Sequence, residues 1–150
     1  MRMLITGVDD EGCSCVVEET TPAAEPFVSG ITVAFATATS SAPPPTRPPG
    51  RGELIGVSGT PGIARWSFID FPPDASTPVH HTDSVDFDVV LDGEINIVLD
   101  DGAHRLSAGD GVVINGVDHA WQTNDAGCRM SVVVIASPPL DDRTASLPNA

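Results

Sequence analysis

Between residues 78 and 124 the chain reads PVHHTDSVDFDVVLDGEINIVLDDGAHRLSAGDGVVINGVDHAWQTN, and no other stretch limits the fold so severely. The apolar runs Val89-Val90-Leu91, Ile95 to Leu99 and Val112 to Ile114 are too short for helices and rich in β-branched residues. Asp92-Gly93, Asp101-Gly102 and Asn115-Gly116 separate them, which predicts strands joined by tight turns and hence the curved wall of a β-barrel. Histidines bracket the stretch, so that wall carries a candidate site.

The rest of the chain agrees with short strands. Its 14 prolines and 14 glycines oppose long helices, and 150 residues suffice for one domain with a core of its own. The expected division is N-terminal strands and a proline-rich loop over 1–52, a barrel body over 53–137 and a loose tail over 138–150. Met3 to Val8 and Cys13 to Val17 flank Asp9-Asp10-Glu11-Gly12 and predict a β-hairpin. The alternation of Ile31, Val33, Phe35 and Thr37 predicts a strand from Gly30 to Thr39. SSAPPPTRPPGRG interrupts it as an extended connector, and Leu54 to Val57 pairs briefly after it. Ile63 to Phe71 is expected as a strand with Ala64, Trp66 and Phe68 on one face and Arg65, Ser67 and Ile69 on the other. His119 to Thr123 and Arg129 to Ala136 are expected as two further strands.

A formal charge of −14, from 21 acidic residues against seven arginines, argues against nucleic acid and against an anionic membrane surface as partners. The sequence contains no lysine, which removes Schiff-base chemistry and a lysine base. The first twenty residues lack the basic start and apolar stretch of a secretion signal, so a cytoplasmic protein is expected. Cys13, Cys15 and Cys128 leave one thiol over in any intramolecular pairing, and reduced thiols are expected. A CxC metal half-site has no second pair to complete it. The unpaired edges of the N-terminal hairpin and of the Ile31 to Thr37 strand predict a homodimer.

On an extended strand His80 and Thr82 share one face and His81 takes the other, where it is expected to meet solvent. If the sheet curls back, His80, Asp86 and His119 converge. Trp121, two residues beyond His119, then forms a wall of the same pocket or part of the core. Arg65 is the arginine of the barrel wall able to hold a substrate carboxylate, with a surface ion pair as the alternative. Trp66 and Phe87 are read as packing residues and His104 as exposed.

The spacing resembles the two motifs of the cupin superfamily over about residues 74 to 124. Where the first motif has a His-x-His pair, an acidic residue and a glycine, this chain has His80-His81-Thr82, three residues, Asp86, six residues and Gly93. The second motif is matched by Gly109, Gly116 and His119, with the first interval one residue short, the proline missing and Asn124 one place late. The resemblance implies an antiparallel, jelly-roll type barrel with an interior pocket. It also implies a metal set of histidines and one carboxylate, which here would be His80, Asp86 and His119. Thr82 stands where that set has a second histidine, Asp86 where it has glutamate, and Asp74 where the first motif begins with glycine.

Three functions follow from these residues. The leading one is an acid/base enzyme, acting by dehydration, decarboxylation, isomerisation or cyclisation on a small oxygenated substrate. In it His119 or His80 moves the proton, Asp86 orients the imidazole, and Thr82, Trp121 and Arg65 bind substrate. The second keeps a divalent transition metal on His80, Asp86 and His119, with open positions suited to an iron-type oxygenase. The third is a non-catalytic binding module. The cofactor therefore stays open between a divalent metal and none.

Overall fold

The computed structural model describes residues 1–26, 28–39, 41, 44, 50–55 and 60–139. Strands β1 (Met3–Val8) and β2 (Ser14–Thr20) make the expected hairpin. Asp9 closes its turn by accepting hydrogen bonds from the backbone N–H groups of Glu11 and Cys13, both at 2.9 Å. Strands β3 (Glu25–Pro26) and β4 (Thr32–Val33) form a separate two-stranded sheet, and β5 (Glu53–Leu54) pairs with β7 (His80–His81). Between them lies β6 (Ala64–Phe71); β8 (Ser84–Leu99), β9 (Gly102–Ser107), β10 (Gly111–Ile114) and β11 (Ala120–Ala136) complete the chain. The main sheet runs β2-β1-β10-β8-β11-β6, with β9 added to β8. Its pairings are antiparallel apart from β1 against β10, so the sheet is mixed where the sequence suggested an antiparallel one. No helix occurs among the described residues, as expected for a β fold.

The expected turn at Asp92-Gly93 is a bend inside a long strand, and so is the gap between the last two expected strands. Val89 to Leu91 and Ile95 to Leu99 belong to the single strand β8, and His119 to Thr123 and Arg129 to Ala136 merge, apart from His119 itself, into β11. The first half of β8 pairs with β10 and the second half of β11; its second half pairs with β9 and the first half of β11. The register breaks between Thr123 and Cys128, where β11 carries a bulge opposite Gly93. Gly93 (φ 74°) and Gly127 (φ 72°) meet there, and a Cβ on Gly93 would sit 2.2 Å from the Gly127 carbonyl oxygen. The two strands therefore bend together and fold one sheet over the other. Leu4, Val90, Ile95, Ile97, Leu106, Val112, Ile114 and Met130 fill the space enclosed.

Other expectations change for the same reason, namely where the core lies. The strand expected from Gly30 to Thr39 shrinks to Thr32–Val33, because Ile31 and Phe35 find no core to face and are 56% and 88% exposed. Trp66 does not pack inside: β6 ends the sheet, and Trp66 is 70% exposed beside Phe68, its Nε1–H donating to Ser131 Oγ at 2.8 Å. Strand β9 escaped notice because Leu106 is its buried residue amid polar and small neighbours. His104 is half-buried, held by Asp101 at 2.6 Å. Val57, most of the proline-rich connector and the tail from residue 140 lie outside the described residues.

The bend yields a stability prediction. Gly93→Ala adds a left-handed β-carbon and a clash with backbone that cannot retreat, so it should lower the unfolding free energy by about 3 kcal/mol or more. Gly12→Ala, at a similar φ of 80° but with nothing within 4 Å of the added carbon, should cost about 1 to 2 kcal/mol. Urea unfolding of the two variants measures the difference.

Candidate active site

His80 and His119 are brought together by the backbone. Each donates its N–H to the other's carbonyl, at 2.9 and 2.8 Å, in an isolated antiparallel bridge. Residues paired in this way send their side chains to one face, and the imidazole centroids lie 4.3 Å apart. His80 Nδ1 is 2.9 Å from the Pro78 carbonyl oxygen, and His119 Nδ1 is 2.9 Å from that of Val117. A carbonyl only accepts, so both Nδ1 atoms carry hydrogen, and in the neutral tautomer this selects, Nε2 carries the lone pair. Trp121 stands edge-on to His119 at 5.8 Å and packs against Phe71 at 6.2 Å.

The facing wall is set by strand register. Val134 pairs with Arg65 on one side and Asp86 on the other, Val132 with Ser67 and Asp88, and Met130 with Ile69 and Val90. Side chains in such rows share a face, and here that face lines a cavity of about 180 Å³ whose lining also includes His80, Thr82, His119 and Trp121. All six residues singled out in the sequence, His80, Thr82, Asp86, His119, Trp121 and Arg65, therefore border one cavity. Two more belong with them. Ser84 donates from Oγ to Asp86 Oδ1 at 2.6 Å and lies 2.7 Å from Thr82 Oγ1, and Asp88 lines the cavity two residues beyond Asp86. Strand alternation from Asp86 points to both.

Burial governs the charges. Desolvation raises Asp86 from the ordinary carboxylate range to about 7, against the opposing hydrogen bond from Ser84. It raises Asp88 well above that range too, and the neighbouring Asp86 adds to the effect. His119 is lowered to about 4, chiefly by desolvation and then by His80, with the Val117 carbonyl opposing. Asp86 does not orient an imidazole as expected: its hydrogen bond goes to Ser84, and backbone carbonyls hold both rings. Arg65 lies exposed on the cavity face of β6, and no acidic side chain pairs with it among the described residues, so the surface ion pair is not formed.

His81 does point away from the cavity, yet it does not reach solvent. It is 3% exposed, with Nδ1 3.3 Å from Asp118 Oδ1, an ion-pair distance without hydrogen-bond geometry. The Asp118 carboxylate accepts from the backbone N–H groups of Arg51 and Gly52 at 2.6 and 2.9 Å, and a Cβ on Gly50 would strike both side chains. His81 and Asp118 thus form the seat of the segment leading into β5.

Bent strands folding over a cavity bordered by His80 and His119 make a cupin-like architecture. Residues 67–136 match the Cupin domain family, and this part of the chain is a cupin domain. Phomopsin biosynthesis cluster protein C' of Diaporthe leptostromiformis is 38% identical over 84 residues, covering 54% of this chain and 44% of the relative. The cupin-domain-containing oxidoreductase virC of Hypocrea virens is 37% identical over 54 residues, covering 35% of this chain and 28% of the relative. The chain thus spans less than half the length of these curated relatives. Among solved structures, the polyketide cyclase RemF from Streptomyces resistomycificus aligns with a TM-score of 0.44 at 24% identity, covering 53% of this chain and 63% of that one.

The metal set that the superfamily implies does not assemble here. The imidazoles offer two Nε2 atoms, but Thr82 replaces the second histidine. Among the described residues no three His, Cys, Asp or Glu side chains gather closely enough to hold a metal ion.

Two measurements check these assignments. His81→Ala should lower the unfolding free energy by about 1 to 3 kcal/mol, as expected of a buried side chain and not of a solvated one; chemical denaturation reads it. Carboxyl carbon NMR should place the Asp86 transition near pH 7. Because the folded value is raised, the Asp86 contribution to stability is fully present below about pH 4 and is lost as pH rises towards 7. Asp86→Asn should flatten that slope in pH-dependent unfolding.

Proposed function

We propose that the protein is a small-molecule enzyme transferring protons within the cupin cavity, of lyase or isomerase type, on an oxygenated organic substrate. The observation that carries this reading is the pairing of a carboxyl raised to about 7, Asp86, with an imidazole lowered to about 4, His119, on one small cavity. Groups whose surroundings move their pKa values apart in this sense are suited to act as acid and base. Between pH 4 and 7 His119 is an unprotonated base and Asp86 a protonated acid. His119 Nε2 or His80 Nε2 takes a proton from the substrate, and Asp86 gives one to the departing or carbonyl oxygen; exchange with solvent then deprotonates the imidazole and reprotonates Asp86. Backbone carbonyls fix the imidazole tautomers, so neither ring must reorient before accepting the proton. Trp121, Phe71 and the valines of β11 keep bulk water away and hold the apolar part of the substrate.

The name of the phomopsin biosynthesis cluster relative supports a place in a biosynthetic route, where dehydration, isomerisation or cyclisation would tailor a carbonyl compound. With a panel of hydroxylated carbonyl compounds, turnover should be bell-shaped, with limbs near pH 4 and pH 7. Asp86→Asn and His119→Ala should each reduce it about 100-fold or more. Turnover that vanishes in chelator and returns with one metal would replace this reading by the metal-dependent oxygenase. Saturable binding without turnover would leave a binding module.

A further inference from the structure

Asp88 is a cavity residue whose chemistry the proton transfer leaves unused. It is 4% exposed, lines the cavity, and its Oδ1 has no hydrogen-bond partner among the described residues. A carboxylate accepts at both oxygens, and a neutral carboxyl still accepts at its carbonyl oxygen, so a donor can satisfy the group in either state. Rotation about χ2, a soft torsion for a carboxyl group, offers either oxygen to the cavity. Arg65 stands on the same face, two strands across and one row away, since Val134 joins Arg65 to Asp86 and Val132 joins Ser67 to Asp88. Its guanidinium has no acidic partner among the described residues, in a chain of formal charge −14, at the exposed side of a cavity whose apolar wall includes Ile69, Phe71, Trp121, Met130, Val132 and Val134.

We propose that the substrate is a carboxylic acid carrying a hydroxyl or N–H group at its far end. Its carboxylate is held by Arg65, its apolar body lies along Val132 and Val134, and its donor is read by Asp88. This rests on the cavity being the substrate site and names the class of molecule it takes. Arg65 supplies a planar two-donor fork matched to a carboxylate, and Asp88 makes the cavity reject analogues that leave its oxygen unpaired.

The test is equilibrium binding of 4-hydroxybenzoate, benzoate and 4-hydroxybenzyl alcohol to the full chain, followed by calorimetry or by NMR, with no turnover required. 4-Hydroxybenzoate should bind about tenfold or more tightly than either analogue. Arg65→Gln should erase the preference over the alcohol and keep that over benzoate; Asp88→Leu should do the reverse. Asp88→Asn, which keeps an acceptor oxygen, should retain the preference over benzoate, and it serves if the leucine variant does not fold. In the parent protein, the Asp88 carboxyl carbon should shift on adding 4-hydroxybenzoate and not on adding benzoate. Equal binding of the three compounds, binding of none at millimolar concentration, or preferences unchanged in the variants would overturn the proposal. Turnover retained in Asp86→Asn with these preferences intact would overturn the acid/base reading alone, and the two failures are thereby separate.

Discussion

The molecule depends on the pairing of β8 with β11 along nearly their whole lengths. Each half of β8 pairs with a different half of β11, and the pair can do so because both strands bend at one level, where Gly93 meets the bulge ending at Gly127. A side chain at that contact would force the backbones apart and unfold the corner. Above the bend, alternation sends Asp86, Asp88, Val132 and Val134 inwards; beyond it, the start of β11 swings Trp121 over them, with His119 just before it. The cavity is the space left between two halves of the same strand pair, which is why it gathers residues distant in sequence without a loop to carry them.

The electrostatics follow from that enclosure. Carboxyl groups and an imidazole are all desolvated by the same walls, and desolvation acts on them in opposite directions, favouring neutral acid and neutral base together. Arg65 remains on the open side and keeps its hydration. The acidic surface of the chain therefore says little about its interior.

Much of this was legible in the residues. Period-two alternation and the spacing of His80, Asp86, Gly93 and His119 carried both the fold and the convergence of the site. What stayed hidden were features decided by neighbours in space. An Asp-Gly pair reads as a turn unless the partner strand is known to bend with it, so Asp92-Gly93 was misread. Strand alternation correctly turned His81 away from the cavity but could not show that Asp118 and the Gly50 to Gly52 segment cover it. Asp88 was in reach of strand alternation from Asp86, which motif spacing had selected, and passed unremarked because it precedes an apolar run. The exposed Trp66 shows the converse: a strand pattern says which face a residue takes, never whether another layer covers that face.

The two tryptophans have sharply different surroundings, and the sequence contains no tyrosine. Trp121 is enclosed at the edge of the His119 imidazole, while Trp66 stands 70% exposed at the outside of the terminal strand. The ultraviolet emission of this protein is thus the sum of a blue-shifted interior fluorophore and a red-shifted surface one. Only the first has an imidazole beside it, and a protonated imidazole quenches indole on contact. The chain carries an intrinsic optical gauge of its cavity, with its own solvent-side reference.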